Sequence, residues 1–434
     1  MILLGLISQG CISWQNPEGD TELSPAVKVT VTTALIQPTG SVTQSPPLPT
    51  EKNLPSGVSK LILWVPPQFD PQGGTKAGQM LNARLKEYQV RNPQVTILVR
   101  VKAENGTSSL LESLAAAKAA APAAVPDVVA LSRKDMESAA IKGYIFPIDE
   151  ISQLMASGDW YRYGREMSQF EGFTYGVPFA GNILLMVYRP NKFEAVPATW
   201  EEVFQLGQPL AFPVSDPNSL LTLTLYLSLG GDVFDEQLRP IVQPDILKEV
   251  YKYFADGNAA GVFPSWLIQY TSDNQIWEVY RDERADMLVT WSSSFLSEIP
   301  ADSTIVPIPR FSKAGKLYTI ADGWVWAVSA HEEESQTEAV KLIEYLVDKG
   351  FLADWSEEAG WLPPRPSSLG SWQNKNLVTV FSQISASASL QPSTQVISIL
   401  GPVLQDTSQL VIEQLSDPGQ ASQVAAERIL SPEY

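Results

Sequence analysis

One cysteine and one histidine in 434 residues leave little room for several kinds of chemistry. Cys11 has no partner for a disulfide, and the chain cannot supply a thiolate metal site. His331 stands in the polar stretch "SAHEEESQ". As a catalytic base it would need a nucleophile and an orienting acid from elsewhere in the chain, so it is read as a solvated loop residue, and neither a zinc site nor a serine-hydrolase triad is expected. Basic clusters are missing too: 30 Lys and Arg stand against 48 Asp and Glu, a net charge of −18. A nucleic-acid partner is therefore excluded, because neutralising phosphates supplies most of that affinity. So is adsorption to anionic lipid through a polybasic patch. No glycine-rich phosphate loop is present, and no cofactor or metal is expected. No segment after the first residues reaches the ~18 uninterrupted apolar residues of a membrane span.

Hydrophobic residues, by contrast, make up 44% of the chain, enough for a large core and for two domains. The chain opens on "MILLGLISQGC", a short apolar run with Gly10 just before Cys11. This resembles the end of a bacterial lipoprotein signal and implies a lipid anchor on Cys11. Residues 12–58, rich in Ser, Thr, Pro and Gly, sustain no hydrophobic period and read as a tether. A lipid-anchored cysteine with a long tether suits a domain working just outside a membrane.

From Lys60 the pattern becomes α/β. "KLILWV" is a continuous apolar strand of the kind covered on both faces. Ala77, Met80, Leu81, Leu85 and Tyr88 then recur at helical spacing, and "QVTILVRV" gives a second strand, which makes a βαβ unit. An Ala-rich helix over roughly 109–120 leads to the strand "VPDVVAL". "YGVPFAGNILLMVYRPNKF" reads as a long extended segment broken near Phe179–Asn182. Thr199 and Glu202 form a capping box, "QPDILKEVYKYFADG" a helix with Leu247, Val250, Tyr251 and Phe254 on one face. Ser335 and Glu338 are read as capping a helix that ends at Gly350.

Five stretches in order resemble the extracellular solute-binding proteins of ABC importers, in particular their sugar-binding, maltose-binding-protein-like branch. They are "LILWVPPQF", "AAVPDVVALS…KGYIFPIDE", "YGVPFAGNILLMVYRPNKFEAVPATWEEV", "RADMLVTWSSSF" and "DGWVWAVSA…EAVKLIEYL", spanning about residues 60–365. Three details depart from the family pattern, the first being Leu131-Ser132 where an aromatic often follows the Pro-Asp strand. Tyr188 is followed by Arg-Pro before Asn191-Lys192, and Asn182 stands where the maltose-binding branch carries a ligand-contacting Glu. The resemblance implies an α/β fold of two lobes, periplasmic-binding-protein-like, hinged on strands that cross between them. Crossings are expected near 179–183, 288–292 and 321–326. That division gives 59–180 plus 291–322 to lobe 1 and 181–290 plus 323–434 to lobe 2.

A sugar presents an apolar face and a rim of hydroxyls, so its site needs aromatic plates with short polar groups beside them. Trp291 with Ser292 and Ser293 offers both in "VTWSSSF". Phe179 and Asn182 fall at the first expected crossing. Asp322 either accepts from ligand hydroxyls or is a turn residue with Gly323. Trp324 and Trp326 share a face by the strand period, so one is expected at the cleft and the other in the core. Gln68 and Asp70 follow the carboxyl end of the first strand, the usual ligand edge. Trp361 and Arg365 lie in a late loop that is either part of the site or a structural proline-rich turn, whereas Trp266 and Trp277 read as core. The expected function is capture of a small ligand, a carbohydrate first, by a monomeric lipid-anchored protein outside the cytoplasmic membrane, for delivery to permease subunits. The alternatives are a signalling receptor on the same fold and a carbohydrate-active enzyme using two carboxylates.

Overall fold

The computed structural model describes residues 59–431; Cys11 and the tether to residue 58 lie outside them. Eleven strands occur among the described residues: β1 Ser59–Val65, β2 Val95–Val101, β3 Val128–Ser132, β4 Gln169–Phe170, β5 Phe173–Thr174, β6 Gly176–Tyr188, β7 Leu210–Ala211, β8 Met287–Trp291, β9 Thr304–Val306, β10 Thr319–Val328 and β11 Ala388–Leu390. Apart from the β4–β5 pair, they form one mixed sheet in the order β2-β1-β3-β10-β6-β8-β7, with β11 on β10 and β9 on β6.

The apolar run of β1 is buried from Leu61 to Val65 because parallel strands flank it on both sides. The Pro-Asp that precedes β3 has a local purpose: the Asp127 carboxylate accepts the Ile62 backbone N–H at 2.7 Å, tying β3 to β1. Helix Lys76–Arg91 starts where the Thr75 hydroxyl accepts the Gly78 N–H, and buries Ala77, Leu81, Leu85 and Tyr88. Thr199 accepts the Glu202 N–H as expected, while the Glu202 carboxylate reaches one residue further back, to Ala198 N–H. The Arg-Pro inserted after Tyr188 anchors the strand end. Arg189 is buried, with its guanidinium on Asp302 and the carbonyls of Tyr280 and Ala285.

Two readings of helix ends change. The helix expected from Ser335 begins earlier, at Glu333, with Glu333 and Glu334 favourably placed at the positive end of its dipole. It ends at Leu346, and Gly350 lies inside the next helix, Lys349–Ala359, capped by Asp348.

β6 organises the whole sheet. Its first part pairs with β10 through Ile183, and its second part, from Leu184, pairs with β8, with β9 from Met186. One half of the sheet is thus β2-β1-β3-β10 with the start of β6, and the other is the end of β6 with β8, β7 and β9. For two of the later segments these pairings reverse the expected partition. β9, in 291–322, pairs with the second half, while 324–328 runs antiparallel to β3 in the first. Nor does the chain cross at 288–292, because helix Ser292–Glu298 stays packed on β6 and β8. The crossings are β6 itself, β10, and a later link through helix Lys375–Ser387, which packs on β6 and β9. Helices Thr394–Ile412 and Pro418–Leu430 then close over Pro244–Ala259.

The break expected near Phe179 is a β-bulge. Ala180 opposes Trp324 and Pro178 opposes Val325, so Phe179 is the extra residue.

Candidate functional site

The crossing strands floor a cleft of about 440 Å³. On that floor Asn182 sits directly opposite Asp322, and Gly181 opposite Gly323. Both glycines are required by close approach. A Cβ on Gly323 would lie 2.2 Å from the Ala180 carbonyl oxygen, and one on Gly181 would lie 2.5 Å from the Tyr163 hydroxyl. The bare Gly181 backbone exchanges two hydrogen bonds with Leu362, at 2.6 and 3.0 Å, which docks the late loop and sets Trp361 in the cleft wall.

Three indoles, Trp291, Trp324 and Trp361, line this one space. Trp324 and Trp361 are braced from behind by Phe69, whose ring meets them edge-on at 5.4 and 5.7 Å. Trp291 ends β8 from the other half of the sheet. Its backbone N–H donates to the Asp273 carboxylate at 3.3 Å, and no aromatic ring packs on it among the described residues.

Polar groups stand between these plates. The Asn182 carbonyl accepts from the Ser292 hydroxyl and the Ser293 N–H, both at 3.0 Å, which leaves its amide NH₂ for the cleft. Withdrawal from water pushes the Asp322 carboxyl up to about 6, against the opposing pull of the Gly323 N–H and the Arg133 charge. Arg133 is itself paired with Glu137 at 2.8 Å, and Glu137 accepts the Thr394 N–H across the crossing. Glu104 and Lys134 add one charge of each sign to the wall from the first half.

Of the residues singled out in the sequence, Trp291, Asn182, Asp322, Trp324 and Trp361 come together on the cleft surface. Others do not. Phe179 is 1% exposed and stacks on Trp326 at 4.2 Å, because the bulge turns it into the core. Ser292 is fully buried; its hydroxyl takes the Ile183 N–H and staples the crossing rather than facing a ligand. Ser293 serves through its backbone N–H. Asp70 accepts the Gln72 N–H in the turn before the first helix. Gln68 is exposed and reaches the site only through Glu104, at 3.2 Å. Arg365 is spent on Asp159 and the Val347 carbonyl. Trp277 is core as expected, while Trp266 is half-buried beneath Arg284.

Sequence reasoning gave no site role to Glu104, Ser132 or Lys134, although they lie at or just past the carboxyl ends of β2 and β3, where the strand-edge rule points. It also passed over Asn218, Gln391, Thr394 and Ser398, which no local pattern marks.

Comparison with known proteins agrees with this geometry. The family model described as "Bacterial extracellular solute-binding protein" matches residues 83–379. A maltotriose-binding protein of Pyrococcus abyssi is 23% identical over 389 residues, covering 84% of this chain and 79% of that protein. The crystal structure of a cyclic α-maltosyl-1,6-maltose-binding protein from Arthrobacter globiformis superposes with a TM-score of 0.71 at 15% identity, over 86% of this chain and 98% of that one. The maltose/maltodextrin-binding domain MalE of Bdellovibrio bacteriovorus, bound to maltotriose, gives 0.61 at 18% identity, over 86% and 99%. These neighbours share the two-lobed α/β fold, and by name they bind sugars. With its model matched over more than half of the sequence, the chain belongs to the bacterial extracellular solute-binding protein family.

Proposed function

We propose that this protein captures a saccharide of two or more rings between its lobes and hands it to the permease of an ABC importer, held at the outer membrane face by a lipid on Cys11. One observation carries the ligand reading: three indoles from both halves of the sheet line a single cleft, with an amide, a carboxylate and hydroxyls between them. An indole plate covers the C–H face of a pyranose, and the polar groups at its edge take the hydroxyls. The saccharides named for the relatives support the same class. Because the walls come from both halves, a ligand touching all three plates favours the closed arrangement, and that differential contact drives the hinge. The anchor reading rests on the Gly10-Cys11 junction that ends the opening apolar run of the sequence.

A thermal-shift panel of mono- and oligosaccharides tests the ligand class. A ligand at 100 times its Kd should stabilise the protein by about 2.7 kcal/mol. No shift with any saccharide would overturn the reading. Mass spectrometry of the native protein should find a diacylglyceryl adduct on Cys11; a free thiol there would remove the anchor.

A further inference from the structure

Behind Trp291 a second chamber of about 280 Å³ opens within the second half of the sheet. It adjoins the cleft, since Trp291, Asn218 and Leu220 line both spaces. Resting on the saccharide reading above, we infer that this chamber receives an apolar substituent carried by the bound sugar, such as an aryl or short alkyl aglycone.

Three features favour that occupant over another sugar ring. The inner wall is made of Leu184, Phe212 and Val289, from or next to the strands, and Leu221 from helix Leu220–Ser228, all buried and apolar. The two carboxylates in the wall are already satisfied by the protein. Asp216 accepts the N–H groups of Asn218 and Leu220 at 2.9 and 3.1 Å. Asp273 accepts the Thr290 and Ser294 hydroxyls and the Trp291 N–H. The Thr271 hydroxyl is likewise turned away, onto Gln275. A pyranose placed here would bury most of its hydroxyls against apolar side chains and engaged carboxylates, with the Asn218 amide and the Ser272 hydroxyl left to meet them, a desolvation that is largely uncompensated. An aromatic ring or alkyl chain loses nothing of that kind. The volume suffices, given that a cavity of ~150 Å³ lined by apolar side chains takes benzene.

All the lining residues belong to one half of the sheet. The chamber therefore does not depend on closure, whereas the cleft draws its walls from both halves. A glycoside would seat its apolar end first and its sugar would be covered second.

The test is calorimetric titration of the full chain with maltose and with 4-nitrophenyl α-maltoside, which differ only at the aglycone. The aryl glycoside is expected to bind at least tenfold more tightly. In Ser272→Trp, an exposed position at the chamber wall whose hydroxyl caps nothing, the ratio of the two affinities should fall to about one. Equal affinities in the unmodified protein would overturn the inference while leaving the saccharide reading intact. A tenfold preference that survives Ser272→Trp would also overturn it, by placing the aryl group elsewhere. If neither sugar binds, the maltoside form of the saccharide reading fails and the inference fails with it.

Discussion

The tryptophans of the cleft fall into two kinds. Trp324 and Trp361 belong to the first half of the sheet and back onto Phe69, which also meets Phe179 and Trp355, so they are the outer surface of a packed aromatic cluster. Trp291 belongs to the second half, stands at a strand end, and has a chamber behind it instead of a ring. The same side chain therefore does two jobs in one site. Braced indoles give the ligand a fixed wall; the unbraced one stands between two spaces. Charge is divided as well: Glu104 and Lys134 line the first wall, and the lining residues from the second carry no formal charge.

The largest effect that bears on this contrast should come from Trp324→Ala. The ring is 4% exposed and removal leaves a void against Phe69, so unfolding free energy should drop by about 3–5 kcal/mol in denaturant titrations. A loss below about 1 kcal/mol would show that the bracing is nominal.

Gly181→Ala should come next. The new methyl would press on the Tyr163 hydroxyl and the Leu362 carbonyl, displacing the loop that carries Trp361. A stability loss of about 1–3 kcal/mol is expected, with weaker binding. Unchanged affinity in this variant would mean that Trp361 is not positioned by the crossing.

A smaller effect is expected from pH. Asp322 titrates near 6 in the fold, above its ordinary value of 3.8. The native state therefore holds this proton more tightly than the unfolded chain. The group's destabilising contribution is absent below about 4 and grows as pH rises through 6. Saccharide affinity should run the other way, because the ionised carboxylate is the better hydroxyl acceptor, and should weaken several-fold from pH 7.5 to 5. Asp322→Asn should flatten both slopes. A pH-independent affinity in the unmodified protein would remove Asp322 from the ligand's contacts, leaving it to Gly323, Gln391 and Arg133 alone.

Much of the fold was legible because its signals are local. The buried run of β1, the Thr199 cap and the apolar face of helix Lys76–Arg91 each depend on a few neighbouring residues. What escaped depends on pairing across long separations. Which half receives 304–306 or 324–328 is decided by the register of β6 against β9 and of β10 against β3, and neither strand announces its partner. Phe179 was misplaced for a similar reason: a bulge appears only when two strands are laid side by side. Ser292 looked like a wall residue because hydroxyls next to an indole suit a sugar. Its actual partners, Ile183 and Asn182, are 109 and 110 residues away.

Trp291→Ala tests the central claim most directly, if affinity for maltotriose and unfolding free energy are measured on the same purified protein. A ligand plate should lose about 2 kcal/mol or more of binding on truncation, with stability falling by no more than about 1 kcal/mol. A protein that melts far earlier yet binds maltotriose as the unmodified chain does would contradict the account, making Trp291 a packing residue and placing the sugar elsewhere.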